Sequence, residues 1–297
     1  MATATATAPA TSSTTATRPG GSKKAWQGVA RWVGIAFIVV FCLAPFYWMV
    51  VSSLRPSDDI FNNSLFPSHP SFENYKAVFG TKNNFGYALR NSVIIAVFAT
   101  LISLVVGVFA AYALARLRFR GKFLVLGAIL ATAMFPGIAL LTPLYKLFTD
   151  LGWIDQYQSM IIPDISFTLP LTIWILTSFF AEMPWELEQA AKVDGATPGQ
   201  AFRKVIIPLA APGVFTTAIL VFIYAWNEYL IASAMSITLA SSPVTVAIAK
   251  FTGSSQFQQP FGSEMAAGVV VTIPLVIIVL IAQKKIVAGL TAGGVKG

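Results

Sequence analysis

Six stretches without a single Asp, Glu, Lys or Arg set the limits on what this chain can become: 32–54, 91–115, 123–145, 165–181, 205–227 and 265–283. They are 23, 25, 23, 17, 23 and 19 residues long, close to the ~17–25 residues with which a helix crosses the bilayer hydrocarbon. The fourth is the shortest, and the uncharged run 156–163 before Asp164 allows it to start earlier. Apolarity within each run is continuous rather than alternating, which predicts helices and excludes barrel strands. Charged residues are only 11% of the chain against 56% hydrophobic, where soluble domains carry roughly 25% charged. The fold class expected is an all-α polytopic membrane protein with six transmembrane helices.

The formal net charge of +8 is not a nucleic-acid signal, because the basic residues lie at the ends of the apolar runs, where they orient helices. With the N-terminus inside, one side of the membrane holds Arg18, Lys23, Lys24, Arg31, Arg116, Arg118, Arg120, Lys122, Lys192, Arg203, Lys204, Lys284, Lys285 and Lys296. The other side holds Arg55, Lys76, Lys82, Arg90, Lys146 and Lys250. Fourteen against six places both termini in the cytoplasm. Residues 229–249 are also uncharged, but their Ser/Thr content, Ser241-Ser242-Pro243 and the basic Lys284-Lys285 end argue for an outer loop with a short helix rather than a seventh span.

Residues 1–25 are rich in Ala, Thr and Ser, lack acids and show no amphipathic period, so a disordered cytoplasmic tail is expected there. A membrane domain over 26–288 and a short cytoplasmic tail over 289–297 complete the expected organisation.

One polar insertion reads as a folded element: Pro184 to Pro212, PWELEQAAKVDGATPGQAFRKVIIPLAAP. Leu187, Ala190 and Ala191 share one helical face. Pro184, Glu186 and Glu188 suit a helix start. Gly195 after Asp194 can close that helix with positive φ. Thr197 as N-cap, Pro198 at the first helical position and Gln200 at the third then open a second helix through a capping box. The expectation is helix, Gly turn, helix.

Little else carries chemistry. The single Cys42 lies in an apolar run and the single His69 in a Pro/Ser/Asn-rich loop, so a clustered zinc site cannot be drawn. GxxxxGK[ST], HExxH, GxSxG and GxGxxG are all missing, and no cofactor or metal is expected in the chain. Phe135-Pro136-Gly137 interrupts the third window, and broken helices in transporters line substrate paths. Asn227 and Glu228 close the fifth window in Trp226-Asn227-Glu228-Tyr229. Nineteen residues from Leu209 carry Glu228 about 28 Å along a helix. It is either the anchored end of a span or a polar lining at the outer mouth.

The Pro184–Pro212 stretch resembles the cytoplasmic coupling motif, or EAA loop, of the membrane subunits of bacterial ATP-binding-cassette importers. The residues carrying the likeness are Gln189-Ala190-Ala191, Asp194-Gly195-Ala196, Phe202, Ile207, Pro208-Leu209 and Pro212. Gln189 stands where the family usually has Glu, with Glu188 adjacent. Trp226–Leu230 and the C-terminal GLTAGGVKG resemble two further signatures of the carbohydrate branch, related to the smaller membrane subunit of the maltose importer. The closer likeness is to actinobacterial trehalose-type permeases.

The resemblance implies that the loop 184–208 docks on an ATPase subunit through Glu188, Gln189, Ala190, Ala191, Asp194, Gly195 and Ala196. It implies half of a translocation pathway, with Pro136, Asn227 and Glu228 as candidate lining. It implies four partners beside the lipid bilayer: a second homologous permease, two P-loop ATPases that bind Mg-ATP, and an extracytoplasmic sugar-binding protein. The contrasting reading is an ion-coupled secondary transporter, which tends to hold ionisable groups near the midplane; the uncharged windows argue against it. A membrane-embedded enzyme would need paired Asp/Glu at span ends, and none pair up in the sequence.

Overall fold

A computed structural model describes residues 21–292 apart from 57, 60, 61, 63, 82 and 252–259. Most of the expected N-terminal tail and the end of the C-terminal tail lie outside the described residues. Twelve α-helices are found among the described residues, and no strand. The chain divides into two compact units, through Trp48 and from Met49 onward.

Helix α1, Gly21–Ser53, starts within the segment expected to be a tail and is helical through the first apolar window. The second unit is built around α3, Phe85–Arg116. Its buried edge carries Ser92, Ala96, Ala99, Ser103, Gly107 and Ala111, small residues that let neighbouring backbones approach closely. Against it lie α6, Gln158–Glu182, and α9, Ile207–Asn227. The Ser103 and Thr168 hydroxyls bond at 2.8 Å across the α3–α6 seam. Helix α12, Phe261–Ala292, packs on α9 and on the short α2, Glu73–Phe79. Gly262 admits the Asn74 side chain, which donates to the carbonyls of Ser53 and Arg55 at 3.0 and 2.7 Å.

The third window is not one straight helix. It folds as α4, Lys122–Thr132, and α5, Gly137–Asp150, bent by 84°. Pro136 supplies no N–H and sits extended at φ −67°, ψ 123°, and Phe135 before it is pushed away from helical geometry. Eleven residues of α4 rise about 16 Å, so the break lies near the middle of a ~30 Å hydrocarbon layer.

The pair still crosses. At one end of α3 the Arg116 guanidinium donates to the Met183 carbonyl at 2.9 Å and stacks on Trp185. At the opposite end Asn91 donates to the carbonyls of Ala240 and Ser242 at 2.7 and 3.1 Å and accepts from Tyr157 at 2.7 Å. The chain therefore leaves one face at Lys122 and reaches the other by Asp155, and the bent pair is the only route between them. With it, the helices long and apolar enough to cross number up to six among the described residues. Residues 229–249 give two six-residue helices, α10, Leu230–Met235, and α11, Val244–Ala249, too short to span.

Helix α6 begins earlier than the fourth window and takes in Asp164, which is 2% exposed. The interior of the spans is thus not free of carboxylates as the windows implied. Six residues into α6, Asp164 lies about 9 Å from that helix's outer end.

Candidate coupling and translocation sites

On the face marked by Arg116, Arg118, Arg120, Lys122, Lys192, Arg203 and Lys204, the polar insertion folds as α7, Trp185–Val193, and α8, Pro198–Ala201. The turn between them is locally determined. Gly195 takes φ +84°. Its N–H donates to Lys192 at 3.1 Å and that of Ala196 to Ala191 at 2.9 Å, the Schellman pattern that satisfies the last helical carbonyls. Thr197 and Gln200 then complete a reciprocal cap: the Thr197 N–H donates to Oε1 of Gln200 at 2.9 Å, and the Gln200 N–H to Oγ1 of Thr197 at 3.3 Å. A π turn, Phe202–Ile206, follows, with the Ile207 N–H reaching back to Phe202. Pro208 next to it has no N–H to offer and cannot sustain the tighter ladder.

The polarity of α7 is inverted relative to a helix packed by its apolar side. Glu188 is only 4% exposed. One carboxylate oxygen accepts from Lys192 at 2.8 Å and from the Tyr112 hydroxyl of α3 at 3.2 Å. Arg116, one helical turn beyond Tyr112, is 4% exposed with its guanidinium 4.8 Å from the Trp185 ring centroid. These contacts clamp α7 to the end of α3. Leu187 and Val193 remain 40% and 87% exposed, and Gln189, Ala190, Asp194 and Gly195 are exposed as well, with Ala191 and Ala196 half-buried. Of the residues singled out for coupling, Glu188 alone turns inward.

At the opposite face, Glu228 follows the last residue of α9 and caps α10: its two oxygens accept the N–H groups of Ile231 and Ala232 at 2.8 and 2.9 Å. Asn227 is exposed and bonds back to the Ile223 carbonyl at 2.7 Å. Pro136 is exposed at the α4–α5 break. A methyl built on its neighbour Gly137 would lie 3.9 Å from Leu230, so the break and the 227–230 turn are neighbours.

Sequence reading did not find Asp155. Its carboxylate accepts the N–H groups of Ile237 and Thr238 at 2.8 and 2.9 Å, the Thr238 hydroxyl at 2.7 Å and the Ser241 hydroxyl. It ties the α5–α6 loop to the segment between α10 and α11. Partial burial works to raise the Asp155 pKa, but the bonds from Ser241, Thr238 and Ile237 together outweigh it and hold the carboxyl below its ordinary value. A carboxylate whose pKa is lowered on folding stabilises above its unfolded value of about 3.9 and loses that contribution as pH falls through the folded pKa. Asp155→Asn should therefore lower the thermal midpoint of the purified chain at pH 7, and the gap to wild type should close on acidification below about pH 4. A gap unchanged by acid would show that the charge is immaterial.

The family described as "Binding-protein-dependent transport system inner membrane component" matches residues 103–291, a stretch containing α6, the whole coupling element and α9. The chain belongs to this family. The trehalose transport system permease protein SugB of Mycobacterium tuberculosis is 51% identical over 260 residues, covering 88% of this chain and 94% of that one. The trehalose/maltose transport system permease protein MalG of Thermococcus litoralis is 41% identical over 266 residues, covering 89% and 95%. Among solved structures, a bacterial ABC transporter involved in the import of the acidic polysaccharide alginate superposes with a TM-score of 0.77 at 25% identity, covering 90% of this chain and 99% of that chain. The permease is thus a multi-pass transport component and not an enzyme. The six-helix, coupling-helix architecture expected from the sequence is the family's fold.

Proposed function

We propose that this permease forms half of the pathway of an ATP-driven importer for an α-linked disaccharide of the trehalose or maltose type, and that α7 passes the work of ATPase subunits into it. The observation that carries the coupling is the orientation of α7: Glu188 is buried and locked against α3 while Leu187, Ala190 and Val193, three apart, form an outward apolar ridge beside exposed Glu186. A ridge of that kind on a polar face suits a protein partner. The sugar class rests on the names of the two trehalose-related permeases.

The exposed break at Pro136 supports a pathway. Irregular backbone at membrane depth is tolerated where it lines a water-filled cavity or is covered by protein. A second homologous permease would complete the conduit, two P-loop ATPases would bind Mg-ATP, and an extracytoplasmic binding protein would deliver the sugar. The excess of basic residues at the α7 face supports a cytoplasmic position for that face in a bacterial cell.

Proteoliposomes test this. With the second permease, the ATPases and the binding protein, labelled trehalose should accumulate only when ATP is supplied. The permease alone should neither hydrolyse ATP nor accumulate sugar under a proton or sodium gradient. Gradient-driven accumulation without ATPases would establish a secondary transporter, a reading that buried Asp164 keeps worth measuring.

A further inference from the structure

Between α3 and α9, on the half of the membrane nearer the basic face, runs an open groove of about 670 Å³ lined by Val105, Phe109, Phe202, Ala211 and Phe215, with Arg203 at its end. We propose that this groove binds an anionic phospholipid, one acyl chain lying along α3 and α9 and the headgroup phosphate at Arg203.

Length and charge point to this occupant. From Arg203 to Ala218, the deep end of the lining, is fifteen residues, or about 22 Å of helix, with Gly199 lining the rim beyond Arg203. One leaflet, headgroup region included, takes about half of the ~40–45 Å bilayer. The groove therefore matches a lipid from phosphate to chain end. Its lining is apolar along the length and cationic only at the rim. Arg203 is exposed, and the one ion pair among the described residues is Lys192–Glu188, so the guanidinium has no carboxylate partner there. A second protein helix is the competing occupant, and the crosslink described below separates the two. A phosphate diester meets the guanidinium with matched geometry.

The probe is a nanodisc containing equal phosphatidylglycerol and phosphatidylcholine, around the full-length permease with the subunits that copurify with it. Lipids retained after gentle release are counted by native mass spectrometry. Phosphatidylglycerol should be kept in preference by about fivefold, the effect of one basic residue at a membrane surface. Arg203→Gln should bring the ratio to near one. Ala211→Phe, which fills the groove, should reduce retention of both lipids, while Lys250→Gln on the opposite face should leave the ratio alone. A photoreactive residue at Val105 should crosslink to lipid. Equal retention by wild type, an undiminished preference in Arg203→Gln, or a crosslink to a protein helix would each overturn the assignment. Inorganic phosphate added in excess should not displace the lipid; if it does, the site is an anion site and the acyl groove is incidental.

Discussion

Cells carrying Gly195→Val should insert the permease normally yet stop accumulating the sugar, and ATPase subunits should no longer copurify with it. The membrane helices do not involve this position. The backbone does: φ is +84° and the Schellman bonds of Gly195 and Ala196 depend on it. A β-branched residue in the left-handed region costs roughly 1–2 kcal/mol, enough to open the turn and swing α8 away from α7. Space is not the difficulty, since a Cβ on Gly195 would meet nothing within 4 Å. Gly195→Asn, which tolerates left-handed φ, should accordingly keep most uptake. If Asn fails as badly as Val, the side chain is colliding with a partner and the backbone account is wrong. Wild-type uptake and association in Gly195→Val would reduce the whole segment to a connector.

Gly107→Val should remove most folded permease from the membrane. A Cβ at Gly107 would lie 2.4 Å from Cγ2 of Thr172. Thr172 is fully buried, and its hydroxyl is fixed to the Thr168 carbonyl at 2.8 Å, so it has no easy way to yield. Overpacking of this kind costs about 1–3 kcal/mol or more, placed here at the seam between α3 and α6. Detergent-solubilised protein should show a lower thermal midpoint and an aggregated chromatographic peak. Thr172→Ala in the same chain should recover part of the loss. No recovery would mean that the seam is not where Val acts.

These two glycines were unequally visible in the sequence. Gly195 could be read because its whole context is local: an acid-rich start, Asp-Gly, then Thr-Pro-Gly-Gln, each acting on neighbours within four residues. Gly107 drew no notice, because its meaning depends on a residue 65 positions away. The four-residue spacing of Ser103, Gly107 and Ala111 is the signal that could have exposed it. The span windows located α3, α9 and α12 well, since continuous apolarity suffices for a straight helix. Hydropathy is blind to direction, so the window of the third span cannot show its bend; Phe135-Pro136-Gly137, which interrupts it, is the signal that spells the break. They also left Asp164 outside, since a charge-free window must stop at a carboxylate even where the helix continues through it. Glu188 was grouped with its exposed neighbours because the motif gives an order of residues, whereas its burial is decided by Tyr112 on another helix.

Helix α3 is held at both ends by side chains: Asn91 grips the outer segment at Ala240 and Ser242, and Tyr112 and Arg116 grip α7 at Glu188 and Trp185 and the end of α6 at Met183. Mechanically that makes it a strut, with the coupling helix bolted to one end and the outer cap to the other. On the proposed coupling, a push on α7 would be carried along the stretch of α3 from Tyr112 to Asn91 as along a rod. Any rearrangement that keeps these bolts must be taken up elsewhere, and the hinge on offer is the elbow between Thr132 and Gly137, half-way through the membrane. On the proposed coupling, force would enter at one surface and the compliance would sit near the midplane, where a cargo would have to pass.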